Sequence, residues 1–94
     1  MADQPLKEAL TDTIASLEKD PRKGRAVFRA SCDLEDGVRC SVKVRDFEPL
    51  IIDEPVSLGG GDTGMNPVEL VLAALGTCQQ IVYAAYAAVM GLKL

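Results

Sequence analysis

Three cysteines, Cys32, Cys40 and Cys78, are the side chains of this 94-residue sequence best suited to covalent chemistry. A thiol acts as a nucleophile only as its thiolate, so each needs a cation or a helix N-terminus close by. The sequence holds no histidine. That removes an imidazole base, a His metal ligand and a His-based pH switch. The three Cys have no metal-binding spacing, and no cofactor or metal is expected. Cys32 and Cys40 fall in two alternating segments and are expected as cross-strand neighbours on one face. A disulfide is geometrically possible there. In a reducing compartment two buried thiols acting as small hydrophobes are the plainer reading.

Cys78 stands eleven residues past Pro67 on an apolar stretch. At about 100° per residue a helix places Val71, Ala74, Leu75, Val82 and Val89 within about 60° of it. The thiol therefore lies along an apolar stripe, too deep in the helix for the dipole to activate it. Gly76, two residues earlier, permits close approach of another backbone or a substrate. On these residues alone a buried structural Cys and a nucleophile set up by an outside cation both stand. A second motif, Gly59-x-Gly61-x-x-Gly64, has the letters of a dinucleotide fingerprint. No strand abuts it, none completes a βαβ unit, and Asp62 would repel a pyrophosphate. A loop feeding a helix cap is the expected reading.

The elements that must position these residues follow from periodicity. Leu6, Leu10, Ile14 and Leu17 form one apolar stripe, predicting an amphipathic helix over 4–19 with Asp3 as N-cap. Asp20-Pro21 stops it. The run Lys19–Arg25 is read as a solvated linker. Even positions are apolar in Ala26–Leu34 and again in Val38–Arg45, which predicts half-buried antiparallel strands. A three-residue loop, Glu35-Asp36-Gly37, then puts Leu34 opposite Val38, Asp33 opposite Arg39 and Cys32 opposite Cys40. A third strand is expected at Leu50–Asp53, where Pro49 suggests an edge or a strand start. Pro55–Met65 is a glycine-rich loop. Asn66 as N-cap, Pro67 at N1 and Glu69 at N3 open a long helix that ends at Gly91.

Charge is distributed unevenly. There are 10 Lys+Arg and 14 Asp+Glu, a net charge of −4, and all but Lys93 lie between Asp3 and Glu69. An acidic chain offers no footprint for nucleic acid. The uncharged stretch Leu70–Leu92 has the length of a membrane span. Thr77, Gln79, Gln80 and the lack of a basic flank favour a buried core helix instead. Too little other chain exists to wrap such a helix, so a partner chain or further sequence is implied. The start MADQPLKEAL has neither a basic nor an apolar leader region, and the expected location is cytoplasmic.

The stretch Asp53–Gln79, DEPVSLGGGDTGMNPVELVLAALGTCQ, resembles the signature of the OsmC/Ohr family of osmotically inducible and organic-hydroperoxide-resistance proteins. Its parts are an acidic-Pro-x-x-x-Gly-Gly loop, an Asn-Pro helix start and a Cys eleven residues after that Pro. The strands before it and the tail AAYAAVMGLKL extend the resemblance to residues 25–94, and the N-terminal helix is similar to that of a longer OsmC-like subgroup. The resemblance implies an α+β fold of a single domain: N-terminal helix 1–20, antiparallel strands 25–54, Gly-rich loop 55–65, and a buried central helix 66–91, completed by an intertwined homodimer. It implies a cysteine peroxidase that reduces organic hydroperoxides, with Cys78 as peroxidatic thiolate, Arg39 as the nearest match to the family's organising Arg, and a thiol reductant as second partner. The family's Glu directly after the Pro is Val68 here. Glu69 lies half a turn away from Cys78 and reads as a cap. The family's second half, with its resolving Cys, follows the point where this sequence ends. The competing readings are a non-catalytic or truncated dimer module and a binder of small apolar ligands beside Cys78.

Overall fold

The computed structural model describes the chain from Asp3 to Leu94, with side chains from Gln4 onward. The expected Asp3 cap thus lies outside the described side chains. The elements are α1 (Asp3–Lys19), a 3-10 turn (Pro21–Gly24), β1 (Ser31–Asp36), β2 (Arg39–Lys43), β3 (Leu50–Ile52), a second 3-10 turn (Val56–Leu58) and α2 (Pro67–Met90). This is an α+β arrangement. The chain forms two compact units, Phe28–Ala74 and Met1–Val27 with Leu75–Leu94, and α2 runs from one into the other.

The unit Phe28–Ala74 is built on an antiparallel sheet of order β1-β2-β3. Its hairpin register differs from the expected one by two residues. Leu34 pairs with Cys40, Cys32 with Val42 and Asp33 with Ser41, while Glu35 is the extra residue of a bulge before Asp36 pairs with Arg39. The turn is the two residues Gly37-Val38, with the only positive φ of the pair at Gly37 (60°). Glycine at the first central position matches the twist of the strands. Because side chains alternate with period two, a two-residue shift leaves the same residues on each face. Cys32, Leu34, Cys40, Val42, Leu50 and Ile52 share one face, as Cys40 pairs with Ile52 and Val42 with Leu50.

The strand expected from Ala26 begins only at Ser31. The reason lies across the ladder. β2 ends at Lys43, and a turn follows in which Phe47 N donates to Val44 O at 3.1 Å and Arg45 takes φ 48°. Residues 26–30 therefore meet no partner strand, and Phe28 stays 94% exposed. β3 follows Pro49 at the sheet edge, as expected. It ends at Ile52, where Asp53 turns into the loop and Ile52 bridges to Met65.

In the other unit α1 stops at Lys19, and Asp20 caps the next turn by accepting from Arg22 N at 3.2 Å, with Pro21 at its first position. Leu6, Leu10 and Leu17 are half-buried, but Ile14 of the same stripe is exposed. At the far end α2 closes as the periodicity predicts. Gly91 has φ 72°, Leu92 N donates to Ala87 O at 2.8 Å and Gly91 N to Ala88 O at 3.3 Å. These are the paired bonds of a Schellman cap.

The buried apolar residues are Ile52, Ala87 and Ala88 alone among those described. The expectation of a buried α2 is therefore not met within this chain: Val71, Leu72, Leu75, Ile81, Tyr83 and Tyr86 are all exposed. The half-buried strands are met in β2, where Arg39–Val42 are half-buried, but not in β1. All six residues of β1 are exposed, including Cys32, and Cys40 is half-buried. The physical reason is the one composition already gave: two helices and three short strands carry too little mass to cover an apolar helix. By length and composition α2 is also long and apolar enough to cross a membrane.

Candidate functional site

α2 is held at its start by a reciprocal capping box. Asn66 N donates to Glu69 Oε1 at 2.9 Å, and Glu69 N donates to Asn66 Oδ1 at 2.8 Å. Two of the helix's orphan donors are thereby satisfied, and Pro67 lacks the N–H that would be a third. Glu69 is occupied as a cap, as its place half a turn from Cys78 predicts. Val68, next to Pro67 in the first turn, is exposed. From this start the helix runs 24 residues, about 36 Å.

Cys78 is on this helix and its thiol is exposed. Its neighbours one turn away within the same unit, Leu75, Ile81 and Val82, are 57%, 68% and 48% exposed. The thiol is thus embedded in an apolar face that is itself uncovered. Within the single chain no described residue buries it. On Gly76, where a Cβ would stand, no atom lies within 4 Å.

Arg39 belongs to the unit Phe28–Ala74. It is the first residue of β2, paired with Asp36 rather than with Asp33 as expected. Its Nε lies 3.5 Å from Glu35 Oε1, in a pair whose side chains are about 40% exposed (41% and 42%). Such pairs contribute little. The Nε is nonetheless buried and without a hydrogen bond. The side chain lines a cleft of about 280 Å³ whose other walls are the hairpin turn, Asp53 and Gly59–Gly61.

The residue missed by sequence reasoning is Asp53. It is 2% exposed and accepts four hydrogen bonds: from Glu54 N at 2.8 Å, Gly61 N at 3.2 Å, Thr63 N at 3.1 Å and Thr63 Oγ1 at 2.6 Å. The Thr63 hydroxyl, then the Glu54 amide, and lastly the Thr63 and Gly61 amides hold its carboxyl down from 3.8 to about 2, against an opposing push from burial. One carboxylate thus fastens the end of β3 to the loop that delivers the helix cap. An acidic residue followed eight to ten positions later by Gly and Thr was the available signal, and it is a weak one.

The same loop settles the fingerprint question. The amides of residues 59–63 all bond inward: Gly59 to Val56 O, Gly60 to Pro55 O, Asp62 to Glu54 O, and Gly61 and Thr63 to Asp53. None of these is free to cradle a phosphate. Gly60 and Gly64 are required for a different reason. A Cβ on them would stand 2.0 Å from Glu54 O and 2.2 Å from Ile51 O, both backbone atoms. Among the described residues no three His, Cys, Asp or Glu side chains cluster as a metal site would need.

Compared with known families, residues 59–94 match the family described as OsmC-like protein. The match takes in the glycine loop, the capping box, all of α2 and Cys78. It bears out, over that stretch, the resemblance read from the Asp53–Gln79 signature. No curated protein matches the chain.

Proposed function

We propose, from this OsmC-like C-terminal segment, that Cys78 is the peroxidatic thiol of an organic hydroperoxide reductase. The observation that carries the reading is the placement of an exposed thiol in an apolar helix face inside the matched segment. An apolar surround suits an alkyl hydroperoxide better than hydrogen peroxide. The Cys78 thiolate attacks the outer peroxide oxygen, the O–O bond breaks, and the alkoxide leaves as the alcohol after taking a proton. Cys78 is left as sulfenic acid. A thiol reductant then attacks that sulfur and displaces water, and a second thiol releases Cys78 by exchange.

The thiolate needs a cation, and Arg39 is the proposed source. A second copy of the chain is the proposed cover for α2. α2 presents Val71, Leu72, Leu75, Ile81, Tyr83 and Tyr86 uncovered, an apolar face of the kind that obligate homodimers bury. A protein partner suits the polar Thr77, Gln79 and Gln80 better than lipid does. The proposed setting is cytoplasmic, where a free thiol stays reduced.

The test is single-turnover reaction of the full protein with tert-butyl hydroperoxide, followed by trapping of sulfenic acid and peptide mapping. Label at Cys78, lost in Cys78→Ser and strongly reduced in Arg39→Ala, is expected. No label at Cys78 in the intact protein would overturn the proposal. One observation favours a second reading, a non-catalytic module: Val68, exposed and apolar, stands where the family has Glu. Alkylation of Cys78 across pH separates the two. A rate no higher at mildly acidic pH than that of free cysteine supports the module.

A further inference from the structure

The geometry points to a second redox site, on the hairpin: a reversible Cys32–Cys40 disulfide whose formation moves β1 by two residues along β2. Both thiols are free, Cys32 is exposed, and both lie on the same face of the sheet. In the observed register they are diagonal neighbours, since Cys32 pairs with Val42 and Cys40 with Leu34. Diagonal neighbours stand about 7 Å apart, and a disulfide needs Cβ atoms within about 4.5 Å. The observed hairpin therefore keeps the thiols apart.

Absorbing Glu35 into a three-residue loop, Glu35-Asp36-Gly37, puts Cys32 directly opposite Cys40, within bonding reach. Gly37, already at φ 60°, sits at the left-handed position that such a loop requires. The shift is even, so no side chain changes face. It also gives partners to residues that have none: Ala30 meets Val42 and Phe28, 94% exposed now, approaches Val44. Asp33 gains Arg39, while Arg29 meets Lys43, a like-charge pair on the polar face that disfavours the shift without the disulfide. Little else resists the movement. β1 pairs with β2 only, and its six residues are exposed.

The oxidant is an organic hydroperoxide or another two-electron acceptor. One thiolate attacks the outer peroxide oxygen, the O–O bond breaks and the alcohol leaves. The second thiol attacks the sulfenic sulfur and water leaves. Two thiols lose two electrons and two protons in all. A thiol reductant reverses the change by exchange.

The experiment treats the full protein with diamide, and in parallel with tert-butyl hydroperoxide, and maps disulfides by mass spectrometry. The expected product is an intrachain Cys32–Cys40 bond, with amide exchange over residues 29–30 slowed about tenfold as they join the ladder opposite Lys43 and Val42. No such bond, pairing of either thiol with Cys78, or only interchain bonds would overturn the inference. A Cys32–Cys40 bond without slower exchange at 29–30 would overturn the register shift. Phe28→Asp, at a position exposed in the reduced form, is a second check. It should lower the disulfide-to-dithiol ratio in a glutathione buffer by about fivefold through the lost cross-strand pair; an unchanged ratio also overturns the shift.

Discussion

Replacing Gly60 with alanine probes the loop that presents α2. The new Cβ would stand 2.0 Å from Glu54 O, 2.6 Å from its carbonyl carbon and 2.8 Å from Asp53 Oδ1. Ordinary contact begins near 3.4 Å, so the loop must open by about 1.4 Å on that side. Two of the obstacles are backbone, and no rotamer relieves them. Opening also strains the bonds from Asp62 N to Glu54 O (3.0 Å) and Gly60 N to Pro55 O (3.1 Å). Overpacking costs about 1–3 kcal/mol and a lost hydrogen bond about 1 kcal/mol. A combined loss of about 3 kcal/mol is roughly a hundredfold in the local opening equilibrium. Amide exchange at Gly61, Asp62 and Thr63 reads this directly, because those amides are held by the loop itself. Gly61→Ala is the control: its Cβ would meet Asp53 Oδ2 at 3.4 Å and Thr63 Cγ2 at 3.6 Å, and its effect should stay within about 0.5 kcal/mol. Equal exchange in the two variants would refute the close-approach reasoning.

Three further outcomes follow from the same structure. Asn66→Ala should cost about 1 kcal/mol through loss of the cap, read as fraying of the first turn of α2 by exchange at Val68 and Glu69. The Asp53 carboxyl is held from 3.8 down to about 2, so its contribution is complete above pH 3.8 and is lost as pH falls through about 2. Exchange protection at Gly61 and Thr63 should follow that window in the native protein and lose it in Asp53→Asn. Gly76→Ala should weaken association of two chains by about tenfold if a second copy packs on that face; unchanged sedimentation would remove Gly76 from the interface.

The ends of α2 were legible in the residues. A capping box joins positions three apart and a Schellman cap positions five apart, so Asn66, Glu69 and Gly91 carry their own instructions. The edge position of β3 was likewise legible, because Pro49 restricts the backbone locally. The hairpin faces were legible but the register was not: alternation has period two, and two registers differing by two residues satisfy it equally. What decided between them was the two-residue turn Gly37-Val38, together with the bulge at Glu35.

The candidate site divides in the same way. Cys78 and its apolar stripe followed from helical spacing, and the OsmC-like signature from residues 53–79. The Asp53 clamp and the contacts that demand Gly60 and Gly64 did not, because they join positions six to thirteen apart through a loop whose path no local pattern encodes. Local pattern sets where helices begin and end, which residues share a face, and that the uncharged stretch from Leu70 outweighs its cover. Tertiary structure alone decided the strand register and the burial of one carboxylate. It also decided that the apolar face around Cys78 lies open, because burial depends on what the rest of the chain can place there.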